Sequence, residues 1–344
     1  MKIKFYFILF FITTIPLAFI SCSDEDSQTQ SIPARDRTEQ QISDQDSLQT
    51  YLNTHYYNSG EIMSMTAYPR IEDMQITKLA DGETLPNGST MLIDAVEQRQ
   101  TIFEETDYTY YILTLKQGLG DSPNFCDQVR VKYDGFLTNN STFDESVTSV
   151  DVDLAFSIAG WNRVLPQFKT ANSYTINQDG TVNYSNYGIG VMFLPSGLSY
   201  YNSAAPGIPA YSCLIFKFEL HQYKEMDHDN DYIPTYMEDL NGDMDLLNDN
   251  SDEDQFSNFN DIDDDGDGYS TYREVHSLEL SDITLNALED QMDLIEPLNS
   301  NQFFLPVEQN ESGEYLVKLI TLEDSNGNGI PNYLDVTDIG TLDN

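Results

Sequence analysis

The chain has 344 residues, with 16 Lys or Arg against 58 Asp or Glu and a formal net charge of −42. That charge excludes nucleic acid as a partner, because neutralising phosphates requires basic side chains that are scarce here. Three cysteines exclude a disulfide framework, and 40% hydrophobic residues are enough for one or two domains with real cores.

Lys2 and Lys4 precede an apolar run from Phe5 to Ile20, broken only by Thr13, Thr14 and Pro16. It is short for a membrane span and suits a secretory signal over residues 1–21. The run ends in Ile20-Ser21-Cys22, which resembles the lipobox of bacterial lipoproteins, with Phe19 where Leu is usual. The resemblance implies cleavage before Cys22 and a diacylglycerol on its thiol, so that acyl chains attach the protein to the membrane. An ordinary signal peptide with an incidental cysteine is the competing reading. Ser23-Asp24-Glu25-Asp26 resembles the surface-export signal of Bacteroidetes lipoproteins, implying an outer-membrane lipoprotein, with the cell surface favoured and the periplasmic face as the alternative. Residues 22–43 have the composition of a solvated tether.

Residues 44–107 read as an N-terminal extension. Leu48, Tyr51, Leu52, His55 and Tyr56 fall at helical spacing between Ser43 and Tyr57, with Ser43 or Asp46 available as a cap. Strand-like signals follow over 63–68 and 91–96. From Tyr108 the pattern sharpens into strands at 110–115, 129–133 and 214–220, a hairpin around Asp179-Gly180 and a short helix near 163–168. These predict an α+β domain on an antiparallel sheet over 108–223. Cys126 and Cys213 are left either to pair or to be two buried thiols, and the second is expected.

This segment resembles the FKBP family, an antiparallel sheet wrapped around a short helix. The resemblance is carried by Val131-Lys132-Tyr133-Asp134-Gly135, Thr142-Phe143-Asp144, Gly160-Trp161, Pro195 to Tyr200 and Ile208 to Phe216. It implies peptidyl-prolyl isomerase activity, with Tyr133, Phe143, Asp144, Trp161, Tyr200 and Phe216 as the catalytic lining and Ile158 and Ile208 as substrate contacts. Three departures stand out: the segment between Phe143 and Trp161 is shortened, with Ser157-Ile158-Ala159 where Val-Ile usually precedes Gly-Trp; Tyr201 replaces a usual glycine; and 174–192 reads as an inserted hairpin.

Beyond Lys224 the only Lys or Arg residues are Arg273 and Lys318, while more than half of the carboxylates lie there. Asp263, Asp265, Asp267, Gly268, Tyr269 and Glu274 fit a twelve-residue calcium loop: side-chain oxygens at positions 1, 3 and 5, a glycine at 6, a backbone carbonyl at 7 and a bidentate carboxylate at 12. The pattern recurs in Asp227, Asp229, Asp231 and Glu238, with Tyr232 at position 6, in Asn250, Asp252, Asp254 and Asp261, and in Asp324, Asn326, Asn328 and Asp335. Asp239, Asn241 and Asp243 begin a fifth loop. The spacing leaves no room for EF-hand helices, so residues 225–344 resemble thrombospondin type 3 repeats, an irregular region stabilised by structural calcium and interrupted by an insertion at 275–323. No organic cofactor is expected. The function expected is a monomeric prolyl isomerase acting on proline-containing polypeptide clients at the bacterial envelope. The alternative is a catalytically weak FKBP-like module presented for adhesion.

Overall fold

The structure, a computed structural model, describes residues 34–338. The expected signal over 1–21 and the lipidation site Cys22 lie outside the described residues. Among the described residues no helix is long and apolar enough to cross a membrane.

Asp36, not Ser43 or Asp46, caps the first helix, its carboxylate accepting from the Glu39 amide at 3.0 Å. The helix runs Arg37–Thr54, so the last seven residues assigned to a tether are helical. Their polarity disguised this, because Gln40, Gln41 and Asp44 are buried on the same helix as Leu48, Tyr51 and Leu52. Asp44 explains how: Oδ1 accepts from Gln40 Nε2 at 2.7 Å, and Oδ2 accepts from the Ser196 amide and hydroxyl at 2.8 and 2.6 Å. The strand expected over 63–68 is instead preceded by a short helix Ser59–Ser64 and is irregular. Met63 and Met65 are exposed, so their alternation has no core to face. The 91–96 segment is a two-residue strand Thr90–Met91 leading into a helical turn Leu92–Asp94, in which Leu92 alone is fully buried.

The principal sheet has seven antiparallel strands and begins at Glu97, earlier than the expected 108. In order across the sheet come Glu97–Phe103, Thr106–Lys116, Gly188–Leu194, Leu214–Lys224, Gln128–Leu137 and Thr142–Glu145, and Val150–Asp153 also pairs with Gln128–Leu137. Side chains alternate between its faces. Tyr110, Ile112, Val129 and Val131 join Trp161 and Phe216 on one face, while Tyr111, Leu113, Val191 and Ile215 meet Leu48, Tyr51 and Leu52 of the N-terminal helix on the other. With both faces covered, Gly188–Leu194 is buried at every position. That strand corrects the expected insertion over 174–192: only the ribbon of Ser173–Ile176 and Val182–Ser185 stands outside the sheet. The short helix spans Ala159–Val164, earlier than expected, and continues as a turn Leu165–Gln167. Gly160 lets it seat, since a Cβ there would lie 2.3 Å from Leu194 Cδ1. Cys126 and Cys213 are both free and buried, in separate clusters.

The acidic region repeats in three dimensions. Position 4 of every loop has positive φ (Asn230, Gly242, Glu253, Gly266, Gly327). In four loops the residue at position 9 donates its amide nine residues back: Thr235 to Met226, Asn258 to Asp249, Thr271 to Ile262 and Asn332 to Glu323. The same four side chains accept from the amide at position 2 of their loops, from His228, Ser251, Asp264 and Ser325. Residues 275–322 form a four-stranded sheet in which Tyr315–Leu322 pairs with Val275–Asp282, Gln302–Phe304 and Glu308–Gln309. Ile233, Val275, Ile320 and Tyr333 join that sheet to the loops in one small core.

Replacing Asp44 by Ala should destabilise the fold by about 1–3 kcal/mol, because the buried Ser196 amide loses its acceptor. Urea denaturation of the variant beside the native chain measures this, and an unchanged midpoint would contradict the role given to Asp44.

Candidate functional site

A cavity of about 840 Å³ opens where the short helix meets the sheet, and its lining includes Tyr133, Phe143, Asp144, Ile158, Trp161, Tyr200, Ile208 and Phe216. All eight residues expected at a proline site therefore surround one space. Four aromatic rings form its floor and wall in edge-to-face contacts. Trp161 lies 5.1 Å from Tyr133 and 5.3 Å from Phe216, and Phe143 lies 5.4 Å from Phe216, with interplanar angles of 83°, 89° and 85°. Sheet register sets this up. Phe216 pairs with Gly135, and Gly135 pairs on its other side with Asp144. A Cβ at 135 would sit 2.8 Å from Phe216 and 2.9 Å from Phe143, so glycine leaves the room in which those rings meet.

Polar side chains share the lining, Arg37, Glu104, Asp144, Ser157, Ser199 and Asn202 among them. The Tyr133 hydroxyl donates to Asp144 Oδ2 at 2.6 Å, and the Tyr133 amide donates to Ser146 Oγ at 2.8 Å. Burial, then the hydrogen bond and charge of Asp144, raise the Tyr133 pKa well above its ordinary value. The phenol thus stays protonated and keeps donating. The Trp161 indole N–H is buried with no protein acceptor among the described residues.

The start of the N-terminal helix, within the expected tether, also reaches the rim, which the sequence did not foretell. Arg37 pairs with Glu104 at 2.5 Å, donates to Tyr108 Oη at 3.0 Å and lies 4.2 Å from the Tyr201 ring centroid. Tyr201 occupies its glycine-like position at φ +48°, a conformation costing a side-chain-bearing residue roughly 1–2 kcal/mol. Contacts to Arg37, the Arg35 carbonyl and the Tyr211 ring hold it there.

In the acidic region, oxygens that lie within 4.8 Å of one another fall into four groups: Asp229, Asp231, Glu238 and Asp264; Asp239, Asp243 and Asp249; Asp252, Asp254 and Asp261; and Asp263, Asp265 and Asp267. Asp264 and Asp249 were not expected. Asp264 occupies position 2 of its own loop, where no ligand pattern looks, and it crosses to the first loop. Asp227 stands apart from the first group, its carboxylate accepting from the amides of Asn230, Asp231 and Tyr232. Tyr232 adopts φ +82° in place of glycine, its hydroxyl accepting from Lys318 Nζ at 2.7 Å. The Asn250 side-chain oxygen and both Glu274 oxygens are buried without hydrogen-bond partners. In the last loop Asp335 Oδ2 instead accepts from the side-chain Nδ2 of Asn326 and Asn328 at 2.9 and 2.7 Å, while the Asp324 carboxylate accepts from the backbone amides of 327–329. Tyr269 lies at position 7 of the strict loop, its amide donating to Asp267.

Burial first, then neighbouring carboxylates, push Glu238 up to about 11, Asp264 to about 9 and Glu274 to about 8. A carboxyl whose folded pKa is raised stabilises the fold below its unfolded value near 4, and loses that contribution as pH climbs toward the folded one. In chelator, hydrogen exchange across residues 227–274 should therefore accelerate, beyond its intrinsic pH dependence, between about pH 5 and 8. Protection that grows over that interval would contradict the crowding.

Residues 120–221 match the FKBP-type peptidyl-prolyl cis-trans isomerase family, so the chain carries an FKBP-type domain. Residues 228–291 match the BamM C-terminal family. No curated protein matches the chain. Among solved structures, FkpA from Escherichia coli is 27% identical over 33% of this chain and 48% of its own, with a TM-score of 0.28. The chain thus spans about half the length of that relative. A peptidyl-prolyl cis-trans isomerase from Pseudomonas syringae pv. tomato is 17% identical over 56% of this chain and 98% of its own, with a TM-score of 0.31.

Proposed function

We propose that the FKBP-type domain catalyses cis/trans rotation about X-Pro bonds in polypeptide clients, using the cavity walled by Tyr133, Phe143, Trp161 and Phe216. The observation that carries this reading is the convergence of four rings and one Tyr–Asp hydrogen bond on a single space. Amide resonance sets a barrier of roughly 20 kcal/mol, and rotation breaks no covalent bond, so the site needs neither nucleophile nor cofactor. It needs an environment that favours the twisted amide. The rings grip the pyrrolidine and exclude water, which stabilises the planar, charge-separated amide more than the twisted one. Asp144 fixes Tyr133 and contributes its field at the rim.

A protease-coupled assay on a proline tetrapeptide tests this. Phe143→Ala and Asp144→Ala should each lower kcat/KM by about tenfold or more without unfolding the chain. A protonated Tyr133 makes kcat/KM flat from about pH 6 to 9. Peptide binding with no acceleration would leave a proline-recognising adhesion module, and the isomerase reading would fall.

The acidic loops are proposed to bind structural calcium. Buried carboxylate oxygens without partners in Asp229, Glu238, Asp263, Asp265, Asp267 and Glu274 support this, since a hard cation takes six to eight oxygens and offsets their repulsion. Chelation should expose new protease sites within 225–338. Identical digestion with and without chelator would count against calcium. We place the chain, as a monomer, in the bacterial envelope, on acyl chains at Cys22. The leader and the BamM C-terminal match support that setting.

A further inference from the structure

We infer that Asp264 completes a calcium site belonging to another loop, so that one ion, held by Asp229, Asp231, Glu238 and Asp264, ties the first acidic loop to the strict loop that begins at Asp263. The inference rests on the calcium reading above and adds a ligand that the loop pattern does not contain.

One oxygen from each of the four residues lies within 4.8 Å of the others. Proximity of carboxylates alone would not make a site. The independent observation is that three of them are 1% exposed, and that Glu238 and Asp264 have no hydrogen-bond partner on either carboxylate oxygen among the described residues. Asp231 Oδ1 accepts from the Ile233 amide at 2.8 Å, leaving its buried Oδ2 free, and both Asp229 oxygens are buried and unpartnered. Buried carboxylates with nothing to accept from are strongly unfavourable unless a cation meets them. Oxygen-only donors from two loops suit calcium better than magnesium, which keeps its waters and seldom accepts an all-protein cage.

The backbone explains why position 2 can reach across. The Thr271 hydroxyl accepts from the Asp264 amide at 3.2 Å, and the same knot fixes position 2 in three other loops. There the residue is His228, Ser251 or Ser325. His228 bonds Asp153 of the FKBP-type domain at 3.1 Å, and the two serine hydroxyls accept from the side-chain Nδ2 of Asn258 and Asn332. In the first loop position 2 thus braces the loop against another part of the chain, and with aspartate at that position of the strict loop the brace is made through a shared cation.

Calorimetric calcium titration of the full chain, together with thermal melts in calcium and in chelator, tests the site. Asp264→Asn should weaken one ion by about tenfold or more. Its effect should be strongly non-additive with Glu238→Gln, which removes a ligand of the same ion, and more nearly additive with Asp265→Asn, which acts on the strict loop. Because asparagine spares the fold the cost of burying one carboxyl among several others, Tm should rise in chelator and fall in calcium. A purely structural role would lower Tm in both, and that result, an unchanged isotherm, or coupling to Asp265→Asn instead would overturn the proposal. A native chain that takes up no calcium would show that the loop reading itself has failed, and this site with it.

Discussion

A glycine facing a phenylalanine across two strands is the constraint on which the cavity depends. Antiparallel pairing sets Phe216 beside Gly135 and Gly135 beside Asp144, so one position of the sheet has no side chain where its neighbours carry rings and a carboxylate. Phe143 and Phe216 fill part of that vacancy, Trp161 comes up beneath them on a short helix, and Tyr133 reaches over to Asp144. The hollow is a consequence of register. A one-residue slip would send Tyr133 and Phe216 to the opposite face, which is already filled by the N-terminal helix.

That second face gives the N-terminal extension its role. Leu48, Tyr51 and Leu52 cover the back of the sheet, and Asp44 clamps the Ser196 turn that leads to Tyr200 and Tyr201. From the same helix, Arg37 reaches the cavity rim and steadies Tyr201 in its left-handed conformation. The loss of a glycine there is thus accommodated by residues more than a hundred positions earlier in the chain. On the other side, Phe156 lines the cavity and meets His228 and Phe259 of the acidic region edge-on or tilted, so the domain is braced from both ends of the sequence.

The residues that gather at the cavity were legible through the family resemblance, which rests on short motifs: Tyr133 and Gly135 two apart on one strand, Phe143 beside Asp144 on the next, and Trp161 after a glycine on the short helix. The N-terminal helix was only half legible, since its first buried turns use Gln40, Gln41 and Asp44, whose burial depends on partners far away in sequence. The strand Gly188–Leu194 was merged with the preceding hairpin, because a strand covered on both faces loses the period-two signal. Asp264 was hidden for a different reason. Loop patterns assign ligands by spacing within one loop, and its partners lie 26 to 35 residues upstream in another.

Trp161 is the chain's only tryptophan, which gives the central claim a direct probe. The indole N–H yields a single, assignable NMR resonance at the floor of the cavity. On addition of a short proline peptide that resonance should shift progressively, while exchange between the peptide's cis and trans signals quickens far beyond its uncatalysed rate. An indole signal that stays put at saturating peptide, with exchange as slow as in free solution, would contradict a proline-twisting site at these residues.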